Sequence, residues 1–275
     1  MKNTRPWEAG KSASKAIRPH NLRLPFVIFI ITGWLSGLLW PPIIGGLLII
    51  ALCYGIVVII NDIADYKIDQ ANHRDLPLVN SSLSNSGLKQ LFIILATTTL
   101  GLLLFLPPIY SYVAALYCLI GWAYSCPPFK LSYRGLLAPL TLGLYYAVIP
   151  FQTAWQEGGG DFQAGLGISI TLLLFSVAYL LYKDFKDVNG DRKFGKHTPL
   201  VLYGEKPVKR LSLVFAVAGF AGSCYLGSTP ILLLPFTIIG LGLLTLQYRR
   251  SQPSPLLLQG YFVAAFGSVI PIIHR

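Results

Sequence analysis

The chain has 275 residues, of which 54% are hydrophobic and only 12% charged, and its mean hydropathy is +0.60. Those values put it among polytopic membrane proteins before any motif is read. The formal charge of +11 does not argue for nucleic acid, because the basic residues sit in short segments between apolar runs, where such charge sets topology.

Residues 1–23 are polar and basic and are expected to form a cytoplasmic tail; no secretory signal is visible. The remainder, 24–275, reads as one transmembrane domain of all-α class. Apolar runs of about 17–20 residues are long enough to span a bilayer. Nine occur, near 24–40, 42–60, 90–107, 109–124, 136–155, 166–182, 211–227, 230–247 and 256–273. Pro41-Pro42, Pro107-Pro108 and Pro230 mark turns between paired spans. Trp40, Trp122, Tyr124 and Trp155 fall near span ends as an interfacial belt, and Arg18 and Arg23 read as snorkelling anchors. Gly45-Gly46 and Gly240 with Gly242 suggest close helix contacts.

Charge sorts cleanly across these spans. Of the 22 Lys and Arg, 21 fall in the N-terminal segment or in loops after even-numbered spans, and Arg275 ends the chain. The opposite loops carry Glu157 and Asp161. The positive-inside rule therefore puts the N-terminus in the cytoplasm, as in a bacterial-type cytoplasmic membrane.

Six of the 11 acidic residues fall in two groups, Asp62, Asp65 and Asp69, then Asp184, Asp187 and Asp191. The spacing is the same in both, the offset between them is a constant 122 residues, and both follow even-numbered spans. On a helix, offsets of three and seven place three carboxylates in one narrow sector, where like charges repel. A divalent cation removes that cost. Hard oxygen ligands suit Mg²⁺, which takes one or two carboxylates plus substrate phosphate oxygens. Two facing groups would hold a diphosphate between metal ions. Asn61 adds a neutral oxygen one turn before Asp65.

The four cysteines and four histidines are scattered without metal-ligand spacing. Tyr124-Ser-Cys-Pro-Pro-Phe-Lys130 lies in the third cytoplasmic loop, and Lys130 and Arg134 stand where a diphosphate needs counter-charge. Lys67, Arg74, Lys183, Lys186 and Arg192 are interleaved with the aspartates; which of them contact phosphate is not decided by spacing.

These motifs resemble the UbiA superfamily of intramembrane prenyltransferases. Asn61-Asp62-x-x-Asp65-x-x-x-Asp69 looks like its first Asp-rich motif, and Asp184-x-x-Asp187-x-x-x-Asp191 with Gly195 and Thr198 its second. Tyr124-Ser-x-Pro-Pro-x-Lys130 resembles the segment between its fourth and fifth helices, and Arg18-Pro19-His20 its lead into the first. The resemblance implies nine helices around a cavity capped by cytoplasmic loops. It also implies Asn61, Asp65, Asp187 and Asp191 as the closest Mg²⁺ ligands, with Asp62, Asp69 and Asp184 in support. Lys130 and Tyr124 would touch the diphosphate, joined by Lys67, Arg74, Arg134 and Lys183, and Asp65, Asp187 and Lys130 would carry catalysis. One departure stands out: Leu76 occupies the position of an expected arginine, and Arg74 lies two residues earlier.

The activity implied is Mg²⁺-dependent transfer of an isoprenoid chain from a prenyl diphosphate to a lipophilic, aromatic acceptor. No nucleic acid and no obligate protein partner are expected. Two alternatives remain at this stage. A membrane terpene cyclase would use the same ionisation without an acceptor. An ion-coupled transporter is disfavoured because transported ions bind near the bilayer midplane, whereas these groups lie at span ends.

Overall fold

In the computed structural model, residues 6–227 and 230–273 are described, with side chains from residue 10 onward and Pro230 excepted. Lys2, Arg5 and Arg275 lie outside them. The helices in order are α1 (Pro6–Ile17), α2 (Arg23–Leu35), α3 (Trp40–Ala64), α4 (Tyr66–Ala71), α5 (Asn85–Leu103), α6 (Pro108–Ser125), α7 (Leu137–Gly143) and α8 (Ile149–Glu157). Then follow α9 (Phe162–Leu180), α10 (Val188–Lys193), α11 (Pro199–Tyr203), α12 (Glu205–Leu226), α13 (Pro230–Tyr248), α14 (Pro255–Gly267) and α15 (Ile270–Ile273). Among the described residues there is no strand, only an isolated bridge between Arg134 and His197.

Each expected apolar run is helical, but among the described residues six helical stretches rather than nine are long and apolar enough by themselves to cross a membrane. The other three runs fall short for physical reasons. The first is cut at Gly37 (φ 80°), so α2 has 13 residues. Tyrosines 110, 112, 117 and 124 lower the hydropathy of α6, and a π-helical turn at Leu144–Val148 divides α7 from α8. The segment expected as a plain tail also contains structure: α1 lies against α3, with Ala16 buried among Ile56, Ile59, Leu88 and Leu95.

Helix ends follow local chemistry. Prolines open α3, α6 and α14, where a missing N–H costs nothing. Ser84 and Asp161 cap α5 and α9, accepting from Gly87 N at 3.1 Å and Ala164 N at 2.9 Å.

Two larger apolar cores stand beside the small one around Ala16. One gathers α3, α6 and the π turn around Ile49, Tyr54, Tyr117 and Tyr145; the other gathers α9, α12 and α14 around Phe175, Phe220 and Tyr261. Consecutive residues of α2 join them, Ile28 entering the second and Phe29 the first. Lipid offers no hydrophobic drive between helices, so close packing and interhelical hydrogen bonds hold the bundle. Gly46 admits the Phe29 ring and Gly240 that of Phe220, where a Cβ would stand 2.2 and 2.4 Å from ring carbons; Gly242 faces open space. Gln152 donates to Ser169 at 2.8 Å and Ser212 to the Ala178 carbonyl at 2.7 Å. Each such bond contributes roughly 0.6–2 kcal/mol.

Candidate functional site

The first aspartate group does not lie on one continuous helix. α3 runs on to Ala64, Asp65 (φ −98°, ψ 10°) breaks it, and α4 restarts at Tyr66. The second group is broken at the equivalent residue: a 3₁₀ turn over Lys183–Lys186 ends at Asp187 (φ −108°, ψ 0°), and α10 begins at Val188. A break at the middle aspartate takes the three like charges out of the single file that a straight helix would impose.

The two breaks face each other across one cavity. It encloses about 850 Å³, open mouth included. Asn61, Asp65, Asp69, Asp184, Asp187 and Asp191 line its polar end, together with Arg18, Arg74, Lys183 and Lys196. Farther in, Tyr54, Val57, Val58, Ile120, Tyr145 and Tyr146 make an apolar and aromatic wall. One end suits a charged, oxygen-rich group and the other a hydrocarbon chain.

Cations tie the two motifs together. Arg74 Nε stands 3.2 Å from Asp187 Oδ1 and 3.3 Å from Asp69 Oδ1, and its Nη2 pairs with Asp187 Oδ2. Lys196 Nζ lies 3.3 Å from Asp65 Oδ2 and 3.9 Å from Asp191 Oδ1. Asn72 Oδ1 accepts the Gly190 N–H at 3.0 Å, so α4's end caps α10 from the opposite motif. Burial pushes the Asp191 carboxyl up to about 6 despite the lowering influence of Lys196. Burial likewise raises Asp69 against the pull of Arg74. Burial disfavours the Lys196 ammonium, but Asp65, Tyr124 and Asp191 outweigh it and its pKa is raised.

Among the described residues, no three His, Cys, Asp or Glu side chains converge closely enough to hold a metal ion by themselves. The donor set nevertheless fits a hard cation that arrives with phosphate. Asp65 Oδ1 and Asp191 Oδ2 are buried without a hydrogen-bond partner, and Mg²⁺ needs only one or two protein carboxylates beside phosphate and water.

Residues 23–259 match the UbiA prenyltransferase family. The chain belongs to that family. It is a multi-pass membrane protein. Hop 2-acylphloroglucinol 4-prenyltransferase is 29% identical over 189 residues, 63% of this chain and 44% of that protein. The probable homogentisate phytyltransferase 2 of rice is 26% identical over 244 residues, 77% of this chain and 60% of its own length. Oat chlorophyll synthase is 29% identical over 214 residues, 70% of this chain and 54% of its own. The chain thus spans about half the length of the curated relatives it matches. The structure of a UbiA homolog from Archaeoglobus fulgidus bound to GPP and Mg²⁺ superposes with a TM-score of 0.76 at 16% identity, covering 94% of this chain and 96% of that one.

Within this UbiA-family fold, the residues singled out in the sequence separate into two groups. Asn61, Asp65, Asp69, Arg74, Tyr124, Lys183, Asp184, Asp187 and Asp191 line one cavity. Asn61 Nδ2 is 3.3 Å from Asp65 Oδ2 and 3.2 Å from Ser125 Oγ, and Lys183 Nζ donates to the Tyr124 hydroxyl at 3.0 Å. Asp62, Lys67, Lys130 and Arg134 are not among the lining residues. Asp62 is buried against Arg18 instead. Lys67 is exposed on α4. Lys130 adopts a left-handed backbone (φ 41°) and sets its ammonium over the Tyr133 ring at 4.9 Å. Arg134 is exposed and donates to the Pro128 carbonyl at 2.9 Å.

Two lining cations escaped the sequence reading. Arg18, read as a membrane anchor, turns inward to Asp62. Lys196 was one basic residue among eight in its loop, although it follows Arg74 by the same 122 residues that separate the aspartates. At the departure noted in the sequence, Leu76 is buried and Arg74 lines the cavity.

Proposed function

We propose that this chain transfers an isoprenoid chain from a prenyl diphosphate to a lipophilic, aromatic acceptor, with Mg²⁺ as cofactor and release of pyrophosphate. The observation that carries this reading is the polarity of the cavity, with aspartates and cations at one end and apolar and aromatic side chains beyond. The family supports it, as do relatives named as prenyltransferases and a fold neighbour whose title states GPP and Mg²⁺.

In this reading Asn61, Asp65, Asp187 and Asp191 hold the cation, with Asp69 and Asp184 beside them and Asp62 acting through Arg18. Bound Mg²⁺ supplies Lewis-acid stabilisation of the departing diphosphate. Arg74, Lys183 and Lys196 add positive charge where the leaving group gains negative charge. The Val57, Val58 and Ile120 wall excludes water from the allylic cation, and the aromatic rings of Tyr54, Tyr145 and Tyr146 line the same space and suit a carbocation. Lys130, Arg134 and Lys67 require a loop movement to reach the phosphate, which makes them secondary to Arg74 and Lys196. The chain crosses the membrane nine times as a single domain, with α2, α6 and the α7–α8 unit completing the six longer spans. The N-terminus and both aspartate loops face the cytoplasm, the side carrying 21 of the 22 basic residues.

The test is a screen of purified chain against prenyl diphosphates of several lengths, with hydroxybenzoate, dihydroxynaphthoate or homogentisate as acceptor, read by product mass. Prenylated acceptor formed only with Mg²⁺ is the expected result. Cyclised hydrocarbon formed without any acceptor overturns transferase in favour of cyclase.

A further inference from the structure

Arg74 and Lys196 occupy the same position in two copies of one loop. Adding 122 residues carries Asp65 to Asp187, Asp69 to Asp191 and Arg74 to Lys196. The backbone repeats with them. Asp69 N donates to Asp65 O and Asp191 N to Asp187 O, at 2.9 and 3.0 Å. Arg74 N donates to Asp69 O and Lys196 N to Asp191 O, at 3.0 and 2.8 Å. The residues just before the two cations, His73 (φ 50°) and Gly195 (φ 68°), are both left-handed.

Each cation then crosses to the other copy. Arg74 bonds Asp187, the middle aspartate of the second motif, and Lys196 lies against Asp65, the middle aspartate of the first. Each also stands near the third aspartate of its own motif, at 3.3 Å for Arg74 and 3.9 Å for Lys196. The neutralisation is reciprocal. A divalent cation on Asp65 or Asp187 would stand a few ångströms from a guanidinium or ammonium, a repulsive arrangement unless an anion enters with it. Diphosphate is such an anion. Arginine recognises phosphate through a planar fork, and lysine through a compact charge on a flexible stem.

We propose that Arg74 and Lys196 are a matched pair of positioning residues: they hold the two aspartate motifs in register through Asp187 and Asp65, and both turn from those carboxylates to the diphosphate when it binds. The inference rests on the diphosphate reading above. It makes the cavity weak for a divalent cation alone and strong for cation and diphosphate together, so that metal and substrate load as a unit.

The experiment uses the full chain in lipid nanodiscs, with Mn²⁺ as the metal probe and inorganic pyrophosphate as the anion, read by calorimetry and Mn²⁺ resonance. In Lys196→Gln or Arg74→Gln, Mn²⁺ alone should bind about threefold tighter, the scale of a partly exposed ion pair. Pyrophosphate at saturating Mn²⁺ should bind about tenfold weaker or worse. The reciprocal exchange, Arg74→Lys with Lys196→Arg, restores both charges without the two-nitrogen fork on Asp187, and should bind pyrophosphate more tightly than either Gln variant. Weakening of both affinities in the Gln variants leaves only a structural role and overturns the proposal, as does loss of both in the exchanged variant. Pyrophosphate that fails to bind the unaltered chain with Mn²⁺ overturns the diphosphate reading itself, and this proposal with it.

Discussion

The contact between Asn72 and Gly190 is where the two motifs touch through uncharged groups, and replacing Gly190 by alanine tests its weight. Gly190 lies in the first turn of α10, where its N–H has no intrahelical partner; Asn72 Oδ1 supplies one at 3.0 Å. An alanine Cβ would stand 2.1 Å from that oxygen and 2.4 Å from Asn72 Cγ, so the amide must leave. Losing the hydrogen bond costs about 1 kcal/mol net, and overpacking adds about 1–3 kcal/mol. The helix gain of Gly→Ala returns about 1 kcal/mol, leaving a net destabilisation of roughly 1–3 kcal/mol. The effect on turnover should be larger, because α4 and α10 carry aspartates from opposite motifs. Thermal unfolding in detergent and steady-state turnover measure the two effects. Asn72→Ala removes the obstructing amide, so Gly190→Ala should cost distinctly less in that background. Strictly additive losses, or a Gly190→Ala variant as stable and active as the unaltered chain, would refute the reasoning.

Asp65→Ala and Asp187→Ala should each lower turnover on the order of 100-fold or more while the chain still folds, which melting curves and product assays check together. Arg18→Ala should destabilise by about 3–5 kcal/mol, because it strands a carboxylate that is 3% exposed; Arg18→Ala with Asp62→Ala should cost less in the same unfolding assay. For topology, single cysteines at Ser86 and Gln163, both exposed, should label from opposite sides of the membrane in a background lacking the four native cysteines. Labelling from one side would contradict the nine-crossing arrangement.

Much of the fold was legible because membrane helices are written in composition. Every long apolar run became helix, and the aspartate groups sit at run ends as their spacing implied. What stayed hidden depends on backbone geometry that apolar period does not encode. A straight α3 would have kept Asp62, Asp65 and Asp69 on one face, but the helix breaks at Asp65, Asp62 pairs with Arg18, and Asp65 and Asp69 line the cavity. Arg18 looked like an anchor because any basic residue before an apolar run looks like one. Lys130 sets its ammonium over Tyr133 from a left-handed backbone, a placement that residue spacing does not encode. Lys196 was legible in principle. Its signal was the 122-residue offset, which pairs it with Arg74 once basic residues are compared as the aspartates were.

The central claim is that paired aspartates at the mouth of an apolar cavity ionise a prenyl diphosphate. Pyrophosphate release in a single turnover, followed with purified chain in nanodiscs, tests it most directly. The account predicts release that requires Mg²⁺, is accelerated by an aromatic acceptor and disappears in Asp187→Ala. Release that persists at full rate in the presence of chelator, or in Asp187→Ala, would contradict it.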